Sequence, residues 1–160
     1  MNAIAKSIFR ISMLGLVSAV LSCTILSPGL AQSRKKITLD DRVDPDPLIV
    51  LGIGGGELEA TDVVDTEGTT TGFCNGFVNR RPNHVLVLEE FFEFLKIEVD
   101  SSTDTTIVVE GPGGVWCNDD SDDANPAIEG QWQPGRYKIW IGSYQEDANY
   151  DYQIKITGQD

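Results

Sequence analysis

The sequence predicts an all-β protein, an antiparallel β-sandwich or jelly roll formed as a single domain behind a signal peptide. Three observations carry this. Short segments alternate apolar and polar side chains with a period of two, as in Leu95-Lys96-Ile97-Glu98-Val99, which marks a strand buried on one face. Clusters of Gly, Pro, Asn and Asp punctuate these segments about every 8–12 residues, the spacing of a sandwich or barrel. No segment supplies the crossover helices that a parallel α/β sheet needs.

At the N-terminus, Lys6 and Arg10 precede an apolar run from Ile11 to Leu26 and then Pro28-Gly29-Leu30-Ala31. This charged, apolar, small-residue order predicts a secretory signal peptide over residues 1–31, cleaved after Ala31. The run is interrupted and shorter than the roughly 20 apolar residues of a membrane span. A rival reading takes Val20-Leu21-Ser22-Cys23 as a lipobox that leaves Cys23 lipidated, although Leu21 fits it poorly and the apolar run continues past Cys23. The expected location is secreted or periplasmic.

Cleavage removes two of the 12 basic residues and none of the 25 acidic ones, so the formal charge moves from −13 to −15. Such a field repels phosphate backbones, and nucleic acid is excluded as a partner. The expected partner is a protein, peptide or polysaccharide outside the cytoplasm.

Residues 32–47 are polar and proline-punctuated and read as a flexible lead-in, with the sandwich expected over 48–160. Leu48-Ile49-Val50-Leu51 suits a strand stopped by Gly52-Ile53-Gly54-Gly55-Gly56. Those glycines do not make a nucleotide loop, because Glu57 stands at the sixth position of the G-x-G-x-x-G frame and no helix or Walker lysine follows. Residues 57–72 are acidic and threonine-rich, which predicts a surface loop or an irregular edge strand. Phe73 to Val78 and Val85 to Leu88 read as strands around the turn Asn79-Arg80-Arg81-Pro82-Asn83. Strands follow at Leu95–Val99 and Ile107–Val109. The alternations Tyr137/Ile139/Ile141 and Tyr150/Tyr152/Ile154/Ile156 predict the last two strands, with Gln133-Pro134-Gly135 as the turn before them.

Cys23 leaves with the signal segment, and Cys74 and Cys117 remain. An even pair in an exported chain predicts one disulfide. Two free thiols are the alternative, and a zinc site with the single His84 lacks C-x-x-C spacing.

Gly111-Pro112-Gly113-Gly114-Val115-Trp116-Cys117 runs into Asn118, Asp119, Asp120, Ser121, Asp122 and Asp123. Oxygen donors leaving a strand together suit calcium, with Asn118, Asp119, Asp120 and Asp122 as candidate ligands; a solvated turn capping its own backbone is the other reading. Trp116, Trp132 and Trp140 are candidate ligand-binding aromatics, Trp140 because its register points it away from Ile139 and Ile141. No G-x-S-x-G, no H-E-x-x-H and no base beyond His84, expected in a surface turn, support catalysis.

The runs Cys74-Asn75-Gly76-Phe77-Val78, Asp104-Thr105-Thr106-Ile107-Val108-Val109, Trp116-Cys117-Asn118-Asp119-Asp120 and Pro134-Gly135-Arg136-Tyr137 together resemble the bacterial pre-peptidase C-terminal domain family, in its stand-alone exported form, over residues 72–157. The resemblance implies a jelly-roll-like sandwich that assists secretion, localisation or substrate binding and binds calcium in some members, with Asn118, Asp119 and Asp120 matching the family's acidic turn. The leading expectation is thus a non-enzymatic exported accessory or binding module. A carbohydrate-binding module using its tryptophans and a carboxylate-based hydrolase are the alternatives.

Overall fold

The period-two segments become strands of two facing sheets, in a computed structural model that describes residues 35–121 and 124–158. The expected signal peptide, Cys23, Asp122 and Asp123 lie outside the described residues. In chain order the elements are β1 (Lys35–Leu39), β2 (Leu48–Gly55), β3 (Leu58–Glu59), α1 (Ala60–Val64), β4 (Gly68–Thr69), β5 (Gly72–Phe73) and β6 (Phe77–Val78). Then follow β7 (His84–Leu88), β8 (Phe92–Asp100), β9 (Thr105–Gly111), β10 (Gly114–Asn118), β11 (Ala127–Trp132), β12 (Gly135–Ser143) and β13 (Asn149–Thr157).

The larger sheet is built around β12, which pairs with β9 along one edge and with β7 and then β6 along the other; β10, β1 and β3 extend it. The smaller sheet runs β11-β8-β13-β2 and is antiparallel throughout. The fold is the predicted antiparallel sandwich. The core lies between the sheets, where Leu95, Ile97 and Val99 of β8 and Tyr152, Ile154 and Ile156 of β13 meet Ile107 and Val109 of β9 and Tyr137, Ile139 and Ile141 of β12. Each fully buried aliphatic side chain of this kind contributes about 1.5–3 kcal/mol. On β8 one extra residue is accommodated opposite Gly130, so that Phe92 and Leu95 both turn inward although three positions apart.

The outer face of the larger sheet carries a second, smaller core. There Trp140 and Val108 are covered by Ala60, Cys74, Val78 and Cys117. The cover is the chain from β3 to β6, and the predicted Cys74–Cys117 disulfide fastens it to β10.

Four expectations change. Residues 35–39 are not flexible lead-in: β1 lies parallel beside β7, with Ile37 and Leu39 buried, so apolar alternation overrides the polar surroundings. β2 continues through its glycines, which leave room across the pair: a side chain at Gly52 would strike Tyr152, and one at Gly54 would press on Ile141 and Tyr152. The acidic stretch holds a short helix, α1. His84 is buried at the start of β7 rather than exposed in a turn, with Nε2 at 2.7 Å from the Tyr152 hydroxyl. Burial pushes the Tyr152 phenol well above its ordinary value, against a hydrogen bond with Asn83 that pulls the other way.

Two asparagines of the turn before β7 finish the edge of β2. Asn83 Nδ2 donates to the Ile53 carbonyl at 2.8 Å while its Oδ1 accepts from Ile141 N–H at 2.9 Å, joining the two sheets. Asn79 Nδ2 donates to the Gly55 carbonyl at 2.8 Å.

Replacing both cysteines, Cys74→Ser with Cys117→Ser, is expected to lower unfolding free energy by about 2–4 kcal/mol, given the 43-residue separation. Urea unfolding would measure it. Amide exchange should accelerate first over residues 57–78, and an equal loss of protection in β8 and β13 would show that the cover and the main core do not open separately.

Candidate functional site

The segment Gly111 to Cys117 folds as a hairpin because Gly113 adopts a φ of 97°, which a side chain rarely tolerates, between the antiparallel partners Gly111 and Gly114. The return strand carries Trp116 on the inner face, opposite Val109. At this flank of the sandwich β10 and β11 end their respective sheets. Between them opens a cleft of about 330 Å³, lined among others by Thr71, Trp116, Ile128, Gln131, Trp132 and Tyr137.

Its floor is aromatic. Trp116 stands 6.2 Å from Trp132 and 6.3 Å from Tyr137, and Trp132 meets Tyr137 edge-on at 4.9 Å. The two deeper rings are fixed by polar handles: Trp132 Nε1 donates to the Leu95 carbonyl at 2.9 Å, and the Tyr137 hydroxyl donates to the Gln133 carbonyl at 2.8 Å. The second of these ties the Pro134-Gly135 turn to β12. Trp116 is half-buried and presents the accessible ring. Pro112 packs over Gly135, where a side chain would collide with it.

Asn118 is bonded to Thr71, a residue of the cleft lining. Its Nδ2 donates to the Thr71 carbonyl at 3.0 Å and its Oδ1 accepts from Ala127 N–H at 3.1 Å, so the side chain bridges the cover to β11. Thr69 and Thr71 finish the free edge of β10, their hydroxyls respectively accepting from Cys117 N–H at 3.1 Å and donating to the Cys117 carbonyl at 2.8 Å.

The predicted aromatic set therefore divides. Trp116 and Trp132 meet in the cleft, whereas Trp140 is 3% exposed and belongs to the outer core, with Lys138 Nζ at 5.9 Å from its ring centre. Trp140 is no platform for a ligand: the cover that the disulfide holds down takes the face that its register left open. Thr71 and Tyr137 were missed; the run Thr69-Thr70-Thr71 ahead of a glycine was the available signal.

The predicted calcium ligands also divide. Asn118 has both amide atoms committed, and Asp119 Oδ2 accepts from Asn75 Nδ2 at 2.9 Å. Among the described residues no three His, Cys, Asp or Glu side chains are placed to hold a metal ion. Beside this set, partial burial and then the nearby Asp120 and Asp119 hold the Asp104 carboxyl above its ordinary value.

Elsewhere, a few acidic groups are paired with cations. On the outer face of the smaller sheet Lys96 lies 3.0 Å from Glu98, and Lys155 lies 3.5 Å from Glu98 and 3.3 Å from Asp100. Hydrogen bonding to Lys96 and the charges of Lys96 and Lys155 hold Glu98 below its ordinary value despite partial burial.

No family model matches the chain. An uncharacterized protein of Synechococcus elongatus is 26% identical over 120 residues, covering 71% of this chain and 89% of that protein. Among solved structures, the pre-peptidase C-terminal domain of a Bacillus anthracis collagenase aligns with a TM-score of 0.43 at 8% identity, over 78% of this chain and 96% of that domain. The periplasmic inhibitor of g-type lysozyme from Aeromonas hydrophila aligns with a TM-score of 0.42 at 11% identity, over 79% and 100%. Likenesses of this size establish no family.

Asp104→Asn tests the burial of this carboxyl, on the turn before β9, and its repulsion by Asp120 and Asp119. A raised folded-state value means that the carboxyl favours folding while protonated and that this contribution is lost as pH rises through that value. The variant should therefore be more stable than the parent at pH 7, by about 0.5 kcal/mol after solvent screening, and equal to it near pH 3. Thermal melts across pH and salt check this; a variant less stable at pH 7 would mean that the Asp104 carboxylate makes a stabilising contact.

Proposed function

We propose that the protein is an exported, non-enzymatic accessory module that binds a peptide or protein in the Trp116 cleft. The observation that carries the reading is the cleft itself, a concavity with an accessible aromatic, two locked aromatics beneath it and polar side chains at the rim. The disulfide supports an oxidising location outside the cytoplasm. Among the described residues no helix is long and apolar enough to cross a membrane. The only histidine is enclosed in the core, and among the described residues the one carboxyl held above its ordinary value, Asp104, sits on an exposed turn outside the cleft, which supports binding over hydrolysis. Polysaccharide is the less favoured ligand, because Trp132 and Tyr137 are buried and the three rings are tilted by 31–61°.

Calcium belongs to this proposal as a neutraliser of Asp104, Asp119 and Asp120, whose mutual repulsion it would relieve. Calorimetry of the metal-stripped protein with calcium should then show a site of about 10⁻⁴–10⁻³ M that Asp120→Ala removes. No heat would return the loop to a solvated turn.

The cleft is tested by titrating isotope-labelled protein with a panel of short peptides and with chito- and cello-oligosaccharides, read by amide and indole NMR shifts. Shifts should cluster at Thr71, Trp116, Gln131 and the Trp116 indole, and Trp116→Ala should weaken binding at least about tenfold, or 1.4 kcal/mol. Shifts confined to another face, or turnover of any probe that a single substitution abolishes, would overturn the proposal.

A further inference from the structure

One wall of the cleft is an open strand edge. The Val99 N–H donates to the Pro126 carbonyl at 3.0 Å, so even-numbered positions of β11 direct their backbone groups toward β8 and odd-numbered ones away from it. Ala127 follows this rule, its N–H pointing away and taken by Asn118. Glu129 is next in that direction, and its N–H and carbonyl have no partner among the described residues. Beside it, Gly130 sits at the bulge with a φ of 139° and open space where a side chain would stand. The facing wall differs, since Thr69 and Thr71 already occupy the edge of β10.

An unpaired edge beside an apolar floor is a template for one more strand, in which backbone bonds supply affinity and alternate side chains supply selectivity. On such a strand one set of side chains would face inward onto Trp116 and Ile128. The other set would face outward beside the Glu129 side chain, which lies opposite Lys96 on the outer face. Among the described residues no Lys or Arg lines the cleft and Glu129 is its one carboxylate, the opposite Lys96 is drawn to Glu98 at 3.0 Å, and the chain's formal charge is −13. The field therefore favours a cation at the outward position.

We infer that the ligand of this cleft is an extended polypeptide that adds to β11 as a further strand, with an apolar side chain on Trp116 and a basic side chain beside Glu129. This rests on the cleft being the binding site and names what fills it.

The test selects octapeptides from a random display library on the purified protein, then measures the enriched peptide by calorimetry beside two analogues. One analogue carries N-methyl groups at alternate amides in the register that faces β11, the other in the opposite register. Enrichment of alternating apolar and basic residues is expected, with affinity lost at least tenfold in one methylated register and retained in the other. Glu129→Lys should weaken the basic peptide at least fivefold and should improve a peptide with Glu at that position, a reversal that misfolding would not produce. Equal affinity of both methylated analogues would overturn strand addition. Binding of chito- or cello-oligosaccharide at Trp116 without any peptide enrichment would overturn the inference while leaving the cleft as the site. No ligand of either class and no effect at Trp116 would overturn both.

Discussion

The structure depends on β12 being buried on both of its faces. Its odd-numbered side chains, Tyr137, Ile139 and Ile141, enter the core between the sheets, and Trp140 enters the smaller core outside. A strand with one wet face would leave Trp140 in water; here the chain from β3 to β6 covers it. That cover is mostly two-residue strands and one short helix, too little regular structure to be stable alone. Its attachment through the disulfide, and through Asn118, Thr69 and Thr71, is what turns it into a third layer.

The same attachments shape the cleft. Thr69 and Thr71 close the edge of β10, Asn118 spans to β11, and the hairpin at Gly113 returns Trp116 over Trp132 and Tyr137. The cleft is thus a by-product of how the cover is pinned through Thr69, Thr71 and Asn118.

Much of the sandwich was legible because period-two alternation reports a half-buried strand directly; β8, β12 and β13 lie where the pattern puts them. The disulfide was legible from cysteine count and the expected export. What alternation could not report was which outward faces are later covered. Trp140 and Val108 sit at outward positions, and only the folding of a distant threonine-rich segment makes them core. Glycines misled for a related reason, since Gly52 and Gly54 read as a strand stop, whereas they make room for the Tyr152 ring from the neighbouring strand. In the site, Trp116 and Trp132 were legible as aromatics of the right kind, but their meeting is set by the edges of two different sheets, to which the consecutive strands β10 and β11 belong. His84 shows the limit of local context: turn residues precede it, yet its partner Tyr152 is 68 positions away.

The asparagines at the β2 edge bear on how copies of this chain meet. Strand-to-strand assembly into an open filament needs two free edges per molecule, one to give and one to receive. Asn79 and Asn83 fill the hydrogen-bonding positions of Gly55 and Ile53, so the C-terminal half of β2 offers no receiving surface for the β11 of another copy. The two flanks differ in this respect: Glu129 leaves an edge of β11 open, while the C-terminal half of β2 is already filled by side chains of its own chain.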